Sequence, residues 1–222
     1  MSKDVHMSCI PNDNRRIQPE LHQIHNKDVT VTKIKNMLFD EECEYIMAYG
    51  EYEGLRPSTV IGKNGDRIID TRRTSNTAFL PKGKDKVLDC IADRFATYAG
   101  LPKTHMEPMQ VTEYTHKKRY SSHHDYFNQK GGPERTTTMF AYLKSDMLED
   151  GNCGGATSFH NLKQEDGSKL RIYPKRGDVV LWSNRTYDGG LNAETLHSGE
   201  SVTCTNARKV GMNVWFRDCE WV

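Results

Sequence analysis

The sequence predicts an α+β domain, with helices first and a closed β-sandwich of the jelly-roll kind after them. Three observations carry this. Both helical periodicities lie before residue 100. From about residue 106 onward, short β-branched and aromatic runs alternate with turn clusters, and no long helical period interrupts them. A chain of 222 residues is long enough for one substantial core and does not require two.

The elements follow in order. Residues 1–28 are polar, rich in Asn, Asp, His and Arg, and lack a sustained period. They read as a flexible, loosely packed leader before a domain spanning 29–222. Val29-Thr30-Val31-Thr32-Lys33-Ile34 alternates as a strand, and Asp40 offers an N-cap to a helix that ends near Gly50 or Gly54. A second helix is expected from about Asp85 to Tyr98, with Val87, Leu88, Ile91, Phe95 and Tyr98 on one stripe and Gly100 as the stop. These two helices are expected to buttress a sheet. Between them, Ile61 to Arg67 is turn-rich and reads as a loop or hairpin tip, and Arg72 to Asn76 returns to strand. Later strands fall at Met109–Tyr114, Thr136–Leu143, Asp178–Trp182 and Lys209–Phe216.

Composition narrows the function. Thirty-one Lys plus Arg against 30 Asp plus Glu leave a formal charge of +1, so no global field points to nucleic acid or an anionic membrane. No apolar run approaches a membrane span, which reads as a soluble, cytoplasmic chain unless a signal or anchor has been removed. Six cysteines, Cys9, Cys43, Cys90, Cys153, Cys204 and Cys219, show no metal-ligand spacing. A disulfide framework is not expected in a chain able to build a core, which suits a reducing setting. The sequon Asn184-Arg185-Thr186 is set aside for want of a secretory signal.

The chemistry concentrates in Tyr120-Ser121-Ser122-His123-His124-Asp125, Thr195-Leu196-His197 and Lys209. In a strand, residues two apart point the same way, so His123 and Asp125 would project together while His124 faces outward. Two imidazoles and a carboxylate on one face of a metal leave the other face open, as in non-haem Fe(II) oxygenases. A lysine beyond the second histidine could hold the far carboxylate of a dicarboxylic co-substrate, because a buried ammonium needs an anionic partner. The bland alternative is a surface strand of hydrogen-bonded polar residues, with Lys209 a solvated cation beside Arg208.

The order and spacing of these residues resemble the catalytic domain of prolyl 4-hydroxylases, which are Fe(II)- and 2-oxoglutarate-dependent dioxygenases. The resemblance covers roughly residues 30–218 and extends to Gln110-Val111-Thr112-Glu113-Tyr114, Tyr120 to Phe127, Gly154-Gly155-Ala156-Thr157-Ser158-Phe159, Pro174-Lys175-Arg176-Gly177 and Asn213-Val214-Trp215. It implies a double-stranded β-helix core, iron held by His123, Asp125 and His197, and 2-oxoglutarate gripped by Lys209 and Thr157 in a pocket lined by Tyr114 and Tyr142. It further implies O2 as oxidant, L-ascorbate to rescue oxidised iron, and a proline-containing peptide or protein held by Tyr120, Arg135, Trp215 and the position of Arg217. The family often has a histidine where this chain has Arg217, and His160 replaces a frequent proline. The connection Met147 to Cys153 is longer than usual. The segments 126–134 and 62–71 resemble mobile lids, and Lys117-Lys118-Arg119 reads as a solvated turn. Two rivals remain open: a same-scaffold dioxygenase acting on lysine, a free amino acid or a base, and a non-enzymatic jelly-roll metal module.

Overall fold

A computed structural model of the chain describes residues 5–26, 29–62, 66–127, 132–146, 152–164 and 166–221. The elements run β1 (His6–Met7), β2 (Arg16–Ile17), β3 (Glu20–Asn26), β4 (Thr30–Lys35), α1 (Asp40–Glu53), β5 (Arg56–Pro57), β6 (Thr59–Ile61), β7 (Arg67–Ile69), β8 (Asn76–Phe79) and α2 (Lys86–Ala99). The second half continues with β9 (Gln110–Tyr114), β10 (Tyr120–His123), β11 (Arg135–Ser145), β12 (Thr157–Lys163), β13 (Lys169–Ile172), β14 (Val179–Ser183), β15 (His197–Gly199) and β16 (Lys209–Arg217). An eight-stranded sheet, ordered β3-β4-β14-β11-β16-β9-β8-β5, and a four-stranded sheet, ordered β10-β15-β12-β13, make up the body. The chain is mostly β-sheet with few helices, a jelly-roll arrangement.

Period-2 alternation sorts the large sheet into two faces. On β11, Met139, Ala141 and Leu143 join one core cluster, and on β16 so do Val210, Met212, Val214 and Phe216. Ile46 of α1 and Ile91 and Phe95 of α2 belong to the same cluster. On the opposite face Phe140 and Tyr142 pack with Phe159, Leu162, Leu170 and Ile172 of the small sheet. The residues of β16 that alternate with its core set, Lys209, Asn213, Trp215 and Arg217, therefore point away from the helices. Gly211 completes that row because a Cβ there would lie 2.2 Å from Phe140 Cζ.

Helix ends follow the local chemistry. The Asp85 side chain accepts from the Leu88 N–H, and Gly100 closes α2 in the left-handed region at φ 65°. Phe39, not Asp40, caps α1; its N–H donates to the Glu42 carboxylate at 3.0 Å. Residues 59–61 and 67–69 pair as a hairpin whose tip, 63–65, lies outside the described residues. The strand expected at 72–76 begins at Asn76, and Arg73 instead bridges Tyr120.

Two expectations are overturned. The leading segment is integrated with the fold: β3 pairs with β4 from Glu20 to Asn26, extending the sheet past the boundary expected at residue 29. The Arg94 guanidinium, paired with Glu42 at 2.7 and 2.8 Å, donates to the Met7 carbonyl, and Glu42 accepts from the Cys9 N–H. Polar composition hid this because its partners are a buried ion pair and strand edges. The cysteines also depart from the reducing reading, since Cys9 is bonded to Cys90 and Cys153 to Cys204. Long separations of 81 and 51 residues leave no local spacing signal. Among the described residues no helix is long and apolar enough to cross a membrane.

Candidate metal centre and substrate cleft

Antiparallel pairing of β10 with β15 sets His123 directly opposite His197. β10 ends at His123, so Asp125 lies in a bend beyond it and not on the strand as expected; the bend still turns its carboxylate toward both rings. His123 Nε2 is 3.7 Å from Asp125 Oδ1, and His197 Nε2 is 3.7 Å from Asp125 Oδ2. One ligand atom from each residue lies within 4.8 Å of the others. His124 is half-buried and lines the cleft, where an outward direction was expected.

The tautomers are fixed by the backbone. His123 Nδ1 lies 2.8 Å from the Ser121 carbonyl and His197 Nδ1 2.8 Å from the Thr195 carbonyl. A carbonyl only accepts, so each Nδ1 carries the proton and each Nε2 presents its lone pair to the shared space. Burial, followed by the neighbouring His197, holds His123 far below an ordinary histidine and therefore neutral. Burial alone would raise the Asp125 carboxyl, but His197, His123, Arg135 and the Thr138 hydroxyl outweigh it and hold it below the usual carboxylate range. The donor set thus fits a divalent metal with an open face.

Two further residues, not found from the sequence, orient Asp125. The Thr138 hydroxyl donates to Asp125 Oδ2 at 2.8 Å, and Asn184 Nδ2 donates to the same hydroxyl oxygen at 2.8 Å. Thr138 lies in the Thr136-Thr137-Thr138 run of β11, and Asn184 belongs to the discarded sequon. Both are wholly buried, which accounts for a polar side chain at each point.

Lys209 lies beside the triad in a second cavity. It is 1% exposed, and among the described residues no carboxylate lies within ion-pair distance. Its ammonium donates to the Gly155 carbonyl at 2.7 Å and faces the rings of Tyr114, Phe140 and Tyr142 at 5.3–5.6 Å. Burial pushes it down to about 7, with Glu200 acting in the opposite sense. The Tyr142 hydroxyl donates to Thr157 Oγ1 at 2.9 Å, and Thr157, Tyr114, Lys209 and His197 share one cavity. Gly154 makes the loop beside it possible: at φ +67° it lies so close to the Ser201 carbonyl that a Cβ would sit 2.3 Å from that oxygen. A buried cation lacking an acid, close to a metal triad, fits a dicarboxylate spanning the two.

On the other side of the triad opens a cleft of about 290 Å³. Tyr120 stacks on His123 with centroids 3.6 Å apart and planes 17° from parallel. Arg135 lies over the Trp215 ring at 3.6 Å and is held by Glu107 through Nε at 2.7 Å and Nη2 at 2.8 Å. Arg217 donates through Nε to the same Glu107 oxygen at 2.7 Å and through Nη1 to the Pro133 carbonyl. Glu107 was not foreseen, because a lone acid outside a recognised motif carries no signal. His160 bridges the Ser122 and Ser198 hydroxyls at 3.0 and 2.9 Å. Of the expected lids and long connection, residues 63–65, 128–131 and 147–151 lie outside the described residues.

The sequence profile of the 2OG-Fe(II) oxygenase superfamily matches residues 109–217, which include the triad and Lys209. Probable prolyl 4-hydroxylase 10 of Arabidopsis thaliana is 31% identical over 200 residues, covering 84% of this chain and 68% of the relative. This chain belongs to the prolyl 4-hydroxylase family of 2OG-Fe(II) oxygenases. Membership implies Fe(II), 2-oxoglutarate and O2 as the cofactor set. Another family member, probable prolyl 4-hydroxylase 3 of the same plant, is 35% identical over 74% of this chain; the match spans 61% of the relative's length. The viral collagen prolyl hydroxylase vCPH of Paramecium bursaria Chlorella virus-1, solved as a 2OG complex, is 25% identical with a TM-score of 0.67, covering 85% of this chain and 96% of the viral chain. A Trichoplax adhaerens prolyl hydroxylase in complex with a hypoxia inducible factor peptide fragment shares the fold at 16% identity and a TM-score of 0.63, over 85% of this chain and 83% of the other.

Proposed function

We propose that this member of the prolyl 4-hydroxylase family hydroxylates peptidyl proline at C4. The observation that carries the reading is the His123–Asp125–His197 triad set between a cavity lined by His123, His197 and the acid-lacking Lys209 and a cleft lined by His123, Asp125, aromatic rings and guanidinium groups. When bound, Fe(II) with 2-oxoglutarate and O2 supplies oxidative decarboxylation coupled to hydroxylation, leaving succinate and carbon dioxide.

The chain's residues would divide the work. His123 and His197 present Nε2, and Asp125 its carboxylate, to the metal, with Thr138 and Asn184 keeping that carboxylate aimed. Lys209 binds the distal carboxylate of 2-oxoglutarate, helped by the Thr157 hydroxyl, whose oxygen already accepts from Tyr142 and so directs its own proton elsewhere. The rings of Tyr114, Phe140 and Tyr142 exclude water around the ammonium and strengthen that contact. At the cleft, Tyr120 and Trp215 give the proline ring apolar walls. Arg135, anchored through Nε and Nη2, has no described acceptor for Nη1 and can donate it to a peptide carbonyl. We include Arg217 among the peptide contacts, L-ascorbate as the reductant that restores oxidised iron, and α1 and α2 as the buttress of the large sheet.

The test is incubation with Fe(II), 2-oxoglutarate, ascorbate and a panel of proline-rich and lysine-rich peptides, followed by succinate assay and fragment mass spectrometry. One added oxygen on proline is expected; oxygen on lysine alone would overturn the substrate. Asp125→Ala should abolish succinate formation, and succinate production at the wild-type rate would refute its role as a ligand.

A further inference from the structure

The cleft beside the triad has an uneven charge balance. The segment carrying Arg67, Arg72 and Arg73 forms one side, and Arg135 with Arg217 forms part of the lining as well. Asp70 neutralises Arg72, accepting from its Nε and Nη2 at 3.0 and 2.8 Å. Glu107 is shared by Arg135 and Arg217, so among the described residues these two guanidinium groups have one carboxylate between them within ion-pair distance. Asp125 is committed to the metal.

Among the described residues, neither Arg73 nor Arg67 has a carboxylate within ion-pair distance. Arg73 is 7% exposed, and its donors reach only neutral oxygens, Gln110 Oε1 at 2.7 Å and the Thr59 carbonyl at 3.4 Å, while its Nε has no partner. Arg67 is exposed on β7 with its guanidinium 5.2 Å over the Phe79 ring, and among the described residues no carboxylate lies within ion-pair distance. In a chain whose formal charge is only +1, the cleft concentrates positive charge against low-dielectric walls, which focus the field on whatever occupies it.

We propose that the substrate is an acidic peptide, with Asp or Glu beside the target proline, and that Arg67 is a specificity-determining residue. The proposal rests on the peptide reading of the cleft above. Arg73 and the Arg135–Arg217 pair hold a standing positive field, and Arg67, at the exposed mouth, meets the carboxylate directly. A peptide with lysine in place of the acid would be repelled by the same groups.

The experiment measures binding of three fluorescent peptides by anisotropy to the full chain loaded with Mn(II) and 2-oxoglutarate. The peptides share one proline core flanked by Asp, Ala or Lys, and the same set is assayed for hydroxylation with Fe(II). The Asp peptide should bind about tenfold more tightly than the Ala peptide, with an advantage that shrinks as NaCl rises from about 50 to about 300 mM. Arg67→Glu should weaken the Asp peptide about tenfold and leave the Ala peptide within about twofold, with Arg67→Gln intermediate. Equal binding of the three peptides, or an equal loss for all of them in Arg67→Glu, overturns the proposal. If the Asp peptide binds best and no proline gains oxygen, the acidic-ligand inference stands and the proline reading fails. If all three are hydroxylated with equal affinity, the reverse holds.

Discussion

Strand β16 carries a cation at each end, and the two are kept in opposite ways. At its start, Lys209 is sealed among Tyr114, Phe140 and Tyr142, and among the described residues its hydrogen-bond partner is a carbonyl. At its end, Arg217 stacks over Phe127 and Trp221 and shares the Glu107 carboxylate with Arg135. The aromatic surroundings are alike and the counter-ions are not. A buried cation without an acid destabilises the fold and is retained where a ligand brings the missing charge; a cation held by a shared acid is fixed in place with donors to spare. The first end is therefore built around a missing partner, and the second around one already present.

The sharpest way to break this contrast is Lys209→Met, which keeps the length of the side chain and removes the charge. The affinity of the Mn(II)-loaded protein for 2-oxoglutarate should fall about 100-fold or more, a loss of roughly 3 kcal/mol. The stability of the ligand-free protein should hold or rise, because no native ion pair is lost. Calorimetric titration together with thermal unfolding decides it; a lowered melting temperature with unchanged affinity would make Lys209 a structural residue. Glu107→Gln is the converse. It leaves two guanidinium groups without their shared carboxylate and should cost about 2–3 kcal/mol of folding stability, with 2-oxoglutarate affinity unaltered. Thr138→Val probes the triad's support at a smaller scale: Asp125 Oδ2 loses its hydroxyl donor and Asn184 Nδ2 its acceptor. Mn(II) affinity measured by paramagnetic resonance should drop about tenfold.

How far the sequence reveals each of these residues follows from their chemistry. His123, Asp125, His197 and Lys209 are legible because ligating types recur in a fixed order, and the strand alternation of β16 puts Lys209 on the site face. α2 is legible from its apolar stripe and from Asp85 and Gly100 at its ends. Glu107, Thr138 and Asn184 are not, since a carboxylate, a hydroxyl or an amide gains its meaning only from the partner that folding brings up. Glu107 lies 28 residues from Arg135 and 110 from Arg217, and neither interval forms a pattern. The same holds for Cys9–Cys90 and Cys153–Cys204, and for β3, a mostly polar segment that joins the sheet through backbone pairing with β4. Asp125 is an intermediate case, its partners foreseen but its strand geometry replaced by a bend.

The smallest effect concerns the proton on Lys209. Burial lowers its folded value from 10.5 to about 7, so between these values the unfolded chain holds a proton that the folded, ligand-free chain does not. Stability of the ligand-free protein therefore rises with pH across that window, and the full cost of burying the ammonium is present below about 7. The distal carboxylate of 2-oxoglutarate would restore the charged form, so binding at about pH 8 should draw in up to about one proton from solvent. Titration calorimetry in two buffers of different ionisation enthalpy reads this number directly. The uptake should vanish in Lys209→Met and fade near pH 6, where the ammonium is already charged before binding. Uptake that persists in the variant would place the titrating group elsewhere and leave the Lys209 end of β16 no different in kind from the Arg217 end.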